Sequence, residues 1–190
     1  MFNDRFGLTQ AVLEGIKTQT RRLVPNVVFT LQWDIREMPD GMETICVENT
    51  YGEFVDIRDT EFSQYKIGEV VAIAQCYKEL YPNADFEMVG NGLMTESAGW
   101  NNKMFVQANL MKHHIQIADL KVERLQDISD EDILREGIQK VSNDTYMFKG
   151  CEIEFHTPRE AFVSLIDKVI GIGIWEINPW VEAYSLELID

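Results

Sequence analysis

Lys17, Thr20, Arg21 and Arg22 share one short stretch, Gly15-Ile16-Lys17-Thr18-Gln19-Thr20-Arg21-Arg22, which packs three cations and two hydroxyls together. An amine and a hydroxyl this close can serve as a base and a nucleophile. A lysine works as a base only when neutral, and the neighbouring Arg21 and Arg22, together with partial burial under a substrate, push its pKa that way. The two arginines also form a basic patch able to seat one phosphate. Taken alone, the stretch is too polar for core and is expected as an exposed loop or strand entrance, with Thr20 free to bond a turn.

Other chemistry-bearing residues are scattered. Gln75, Cys76 and Tyr77 follow the apolar run Val70 to Ala74, where an amide or phenol can read a base edge if a cleft opens there. His113 and His114 are adjacent, so on a strand they point to opposite faces and cannot share a metal, and His156 is isolated. Gly171-x-Gly173 precedes a strand, which is not the setting of a dinucleotide fingerprint. Trp175 and Trp180 flank a turn and are expected in the core before any role as a stacking platform. No metal and no cofactor are expected.

Charge narrows the partners. Seventeen Lys and Arg stand against 32 Asp and Glu in 190 residues, a net charge of -15 that repels polyanions at long range. Residues 1 to 25 reverse this locally, with Arg5, Lys17, Arg21 and Arg22 against Asp4 and Glu14. Any nucleic-acid contact is therefore expected to be local. The three cysteines, Cys46, Cys76 and Cys151, lie far apart without a ligand cluster, and a reducing cytoplasm is the expected compartment. No apolar run approaches the roughly 20 residues that span a bilayer, and the start, Met1-Phe2-Asn3-Asp4-Arg5, does not resemble a secretory leader. No membrane association is expected.

Local patterns predict a mixed α+β chain that positions these groups. A short helix capped by Thr9 ends at Gly15. Strands are expected at Val27 to Leu31 and Thr44 to Val47, inside a solvated, acidic hairpin insertion spanning 34–62. Val70 to Ala74 is expected to be a central strand buried on both faces, and 78–103 to be loop. His114 to Leu125 alternates as a strand with a bulge near Ala118-Asp119. Ser129 caps a helix that stops at Gly137, and Thr157-Pro158-Arg159-Glu160 opens another that ends near Gly171. Asn178-Pro179 turns the chain into an alternating strand from Trp180 to Leu188. Short strands with helices inserted among them favour a small twisted barrel over a doubly wound sheet, built as a single domain over 1–190.

Three of these stretches together resemble the ASCH family, a branch of the PUA-like barrels. Gly15 to Arg22 is similar to the family's GxKxxTxR signature after a short helix. Val122 to Ser129, continuing through Glu136-Gly137-Ile138, is similar to the strand-then-helix segment of longer phage and bacterial members. Gly171 to Val181 is similar to their glycine-rich turn into the last strand. The resemblance implies a PUA-like small twisted β-barrel with short flanking helices, whose cleft beside the first helix receives RNA or a modified nucleoside. Some short bacterial relatives are amidohydrolases that remove the acetyl group of N4-acetylcytidine. Carried over by position, their lysine and threonine fall on Lys17 and Thr20, their catalytic glutamate on Glu136, and the closing arginine of the signature on Arg22. This chain departs from them by added segments at 34–62, 78–103 and 139–157, which would cover, narrow or repurpose the cleft.

The resulting expectation is a cleft for a modified nucleoside or short RNA, with hydrolysis of the N4-acyl amide of acetylcytidine as the most concrete activity. Lys17, Thr20 and Glu136 would be catalytic, and Arg21, Arg22, Gln75 and Tyr77 would bind the ligand. Glu136 falls in the last turn of its helix, where the negative end of the dipole disfavours a carboxylate, which suits a proton donor. A non-catalytic reader of RNA or DNA is the alternative, and an accessory protein of phage type whose acidic surface meets a basic host protein is a third.

Overall fold

A computed structural model describes residues 2–39, 41–82 and 98–190. In chain order the elements are α1 (Leu8–Leu13), β1 (Gln19–Leu23), β2 (Trp33–Glu37), β3 (Glu43–Glu48), β4 (Phe54–Asp56), β5 (Val70–Ala72), α2 (Tyr77–Leu80), β6 (His114–Arg124), α3 (Asp130–Arg135), β7 (Gln139–Ser142), β8 (Thr145–Met147), α4 (Pro158–Val169), α5 (Ile174–Ile177) and β9 (Trp180–Leu188). The class is mixed α+β, with a curled antiparallel sheet in the order β1-β9-β6-β5 forming a half-barrel. Of its long central strands, β6 alternates buried and less buried residues and shifts register between Ile117 and Asp119, where the sequence pattern slips, whereas β9 is buried without alternation from Trp180 to Tyr184.

Helix ends follow their sequence cues. Ser129 Oγ accepts from Asp132 N at 3.1 Å and caps α3, whose first turn carries Asp130, Glu131 and Asp132 against the helix dipole. Thr157 caps α4 in the same way through Glu160 N, and the Glu160 carboxylate reaches back to His156 N, with Pro158 opening the first turn. Replacing Ser129 with Ala is expected to lower stability by about 1 kcal/mol, read as a shifted urea midpoint at unchanged slope.

Several segments differ from the sequence reading. Gly7, not Thr9, precedes the first turn of α1; Gly7 adopts a φ of 63°, while the Thr9 hydroxyl is buried and accepts from Lys103 Nζ. Val27 to Leu31 does not extend: after Pro25, residues Asn26–Thr30 wind into a 3-10 turn that buries Val28 and is tied by Thr30 Oγ1 donating to Val27 O. The 34–62 segment is more than a solvated hairpin. β2, β3 and β4 pair into a second sheet whose Ile45 and Val47, with Ile57, pack on Val24, Val28, Val122 and Trp180. Only its outer strand β2 is exposed along its whole length.

β5 is a three-residue edge strand paired to β6 alone, with Val70 exposed, so the apolar run there is neither central nor buried on both faces. Of the 78–103 segment, α2 occupies the start, and residues 83–97 lie outside the described residues. The 139–157 segment forms the β7-β8 hairpin and then sends Phe148 and Cys151 into the main core beneath α4. That core gathers Leu125, Ile128, Ile133, Phe162 and Leu165 between α3, α4 and β9's Val181. Trp180 is buried against the second sheet and Trp175 packs edge-on to Phe162, so both indoles serve the cores.

Candidate functional site

Gly15 ends α1 in a left-handed turn with φ 69°, and Lys17 N closes back on Ala11 O at 2.8 Å. The next residue joins this corner to α3: Thr18 N donates to Arg135 O at 2.9 Å. Glu136 caps the C-terminus of α3 and Gly137 turns the chain away with φ 101°. That positive φ is what favours glycine here, since a side chain at Gly137 would meet the Lys17 stem at 3.6 Å, an ordinary van der Waals contact. Lys17 and Glu136 are thus brought together across 119 positions of sequence.

Their geometry is close and dry. Lys17 Nζ lies 2.5 Å from Glu136 Oε2 and also donates to Glu136 O at 3.0 Å and Gln19 O at 2.7 Å. Three acceptors match the three hydrogens of an ammonium. Lys17 is 3% exposed, and burial pushes its pKa down from the ordinary 10.5. Glu136 pulls it back up without fully offsetting the burial, and Arg22 and Arg21 push it further down.

Arg21 is not the exposed phosphate seat that the sequence suggested. Its side chain is 1% exposed, and its guanidinium is filled by Glu123 Oε1, reached by Nε at 2.9 Å and Nη2 at 2.6 Å, with Glu136 Oε1 and Gln19 Oε1 at 2.9 and 2.8 Å from Nη1. Asp132 Oδ2 lies 3.4 Å from Nη2. The strand register explains the reach: Arg21 and Lys121 both face Ala183 of β9, a small residue across which the long arginine meets the acids of β6 and α3. Lys121 then bonds Glu123 and Asp132, and Arg135 bonds Asp132, which carries the network to the surface.

Thr20 and Arg22 lie on the other face of β1, in rows with Tyr184 and Glu182. Because β1 is the edge of its sheet, one cavity of about 1130 Å³ can wrap that edge and touch both faces. Lys17, Thr20, Arg21, Arg22 and Glu136 all line it. Asn101 and Asn102 add amides, and Phe162 and Leu165 of α4 add apolar wall. Gln75 and Tyr77 lie elsewhere. Tyr77 is buried with Leu80, Trp100 and Met111, and its hydroxyl accepts from Gln107 N, while Gln75 N donates to Met111 Sδ. Among the described residues no group of His, Cys, Asp and Glu is arranged to hold a metal, and no helix is long and apolar enough to cross a membrane.

Sequence reasoning missed Gln19, Glu123 and Asp132 as site residues. The available clue was period-two spacing, Gln19-x-Arg21 on β1 and Lys121-x-Glu123 on β6, which sets each pair on one strand face.

The network sets a pH dependence. Burial pushes Asp132 up, but Lys121, Arg21 and Arg135 outweigh it and hold its carboxyl below the ordinary 3.8. Between the folded value and 3.8 the unfolded chain binds more protons, so this stabilisation is complete above 3.8 and is lost as pH falls through the folded value. Urea midpoints are expected to drop in that acid window, and Asp132→Asn is expected to flatten the drop. No family model, no curated protein and no solved structure matches this chain, so the reading of the cavity rests on its own geometry.

Proposed function

We propose that the chain is an ASCH-type, PUA-like protein whose cavity binds a modified nucleoside and hydrolyses the N4-acyl amide of acetylcytidine. The observation that carries the reading is the 2.5 Å contact of Lys17 Nζ with Glu136 Oε2 on the wall of a cavity that Thr20 also lines. In this reading neutral Lys17 takes the hydroxyl proton of Thr20 as its oxygen attacks the acyl carbon, or takes a proton from an attacking water. The carbon–nitrogen bond breaks as N4 receives that proton through the Lys17–Glu136 pair, leaving cytidine. If Thr20 has taken the acyl group, a water then releases acetate and restores its hydroxyl. Both Glu136 oxygens accept from cations, so the proton it shuttles comes through Lys17 Nζ. Arg22 borders the cavity and adds positive charge to its wall. The net charge of -15 favours a small ligand over long RNA.

A second reading, binding without turnover, has one observation in its favour: all three hydrogens of a Lys17 ammonium are satisfied in place. Incubation with N4-acetylcytidine, followed by chromatography of cytidine and acetate, separates the two. Turnover that Glu136→Gln abolishes while thermal protection by the nucleoside persists supports hydrolysis. Protection without product in the wild type supports the reader, and a fully active Glu136→Gln removes that residue from the chemistry.

A further inference from the structure

We propose that Arg21 is a positioning residue for Lys17: by holding Glu136 Oε1 it takes over the charge balance of that carboxylate and lets Lys17 release its proton. The inference rests on reading Lys17 as the base. A lysine paired with one buried carboxylate would ordinarily keep its proton, because losing it strands a bare anion away from water. Here the same carboxylate is shared. Lys17 holds Oε2 at 2.5 Å and Arg21 holds Oε1 at 2.9 Å.

Counting the linked charges gives the same answer. From β1, β6 and α3 the network joins Lys17, Arg21, Lys121 and Arg135 to Glu123, Asp132 and Glu136, four cations to three carboxylates. With Lys17 neutral, three cations face three carboxylates, and the network balances. Among the described residues, the other charges near Lys17 do not upset this. Asp4 and Lys103 on the cavity wall pair with each other at 2.5 Å. Arg22, in the row of Glu182 on the opposite face of the sheet, adds a positive field that also disfavours the ammonium. Arg21 keeps its role because it is fixed on every side: Glu123 takes Nε and Nη2, and Gln19 shares Nη1. An arginine cannot lose its own proton in this range, so its charge is a constant against which Lys17 titrates.

The test follows the side-chain signals of Lys17 by NMR in lysine-labelled protein across pH, with Lys17→Arg to assign them. Arg21→Gln is expected to raise the Lys17 midpoint by about one pH unit or more, because a nearby cation is gone. Arg21→Lys keeps the charge and is expected to leave the midpoint near the wild-type value. Glu123→Gln, which leaves Arg21 less neutralised, is expected to lower it. The acidic limb of kcat on N4-acetylcytidine should move with the midpoint, which a purely structural arginine would not cause. An unmoved midpoint in folded Arg21→Gln overturns the proposal, as does an equal rise in Arg21→Lys. If Arg21→Gln does not fold, Glu123→Gln decides, and an unmoved midpoint there overturns it. A wild type without turnover removes Lys17 as the base of a hydrolase, while the NMR arm still reports on Arg21.

Discussion

Lys17→Ala is expected to cut release of cytidine from N4-acetylcytidine by about 10²–10⁴-fold, the range that a positioned base contributes. The substitution removes the amine that touches Glu136 and borders the same cavity as Thr20, and no other described side chain bonds Glu136 Oε2. It is also expected to destabilise the fold by about 3 kcal/mol, near the lower end for breaking a buried pair, because Arg21 still holds Glu136 Oε1. Part of that loss is backbone: Gln19 O and Glu136 O both lose the donor they share. Product chromatography and urea unfolding on the same preparation separate the two effects. Lys17→Met, which keeps most of the stem beside Gly137, should recover stability while remaining inactive. An active Lys17→Met would exclude the amine from the chemistry.

The largest effect on stability alone is expected at Phe162. Its ring is fully buried at the centre of the core between α3 and α4, edge-on to Trp175 at 6.3 Å between centroids. Phe162→Ala removes that burial and leaves a void that the helices cannot close, a loss of about 3–5 kcal/mol. Because Phe162, though fully buried, underlies the α4 wall of the cavity, a collapse around it should weaken nucleoside binding along with the urea midpoint. Phe162→Leu fills more of the space and should lose less of both. Equal stability of the alanine variant and the wild type would mean that the core does not depend on this ring.

How much of this was legible depends on how far each cue acts along the chain. The caps at Ser129 and Thr157 and the bulge near Asp119 work over a few residues, and the sequence pattern located them. Gly15 to Arg22 looked exposed because its compensation comes from elsewhere. Glu123 and Glu136, which neutralise Arg21, lie 102 and 115 positions away, beyond any window of composition or periodicity. The Val70 to Ala74 run misled for a related reason: apolar content does not tell a central strand from an edge strand, and only the pairing of β9 between β1 and β6 pushes β5 to the rim. Within the site, the resemblance singled out Lys17, Thr20 and Glu136 by position, but that Lys17 and Glu136 meet was not legible in the sequence, because they lie 119 positions apart. Gln75 and Tyr77 were chosen because they follow β5, but the chain there turns into α2 and away from the cavity.

The position of β1 at the rim of its sheet has a meaning apart from chemistry. Leu186 N donates to Thr18 O and Val24 N to Trp180 O, so by alternation the backbone groups of Gln19, Arg21 and Leu23 point away from β9. Such a row is a template for another strand, including that of a second copy of the chain. Lys17 Nζ occupies one of its acceptors, Gln19 O, and the buried charge of Arg21 sits in the middle of the row. Gln19, Thr20 and Arg21 are themselves buried, so the rim is covered where the cavity residues gather and a second strand finds no open row there.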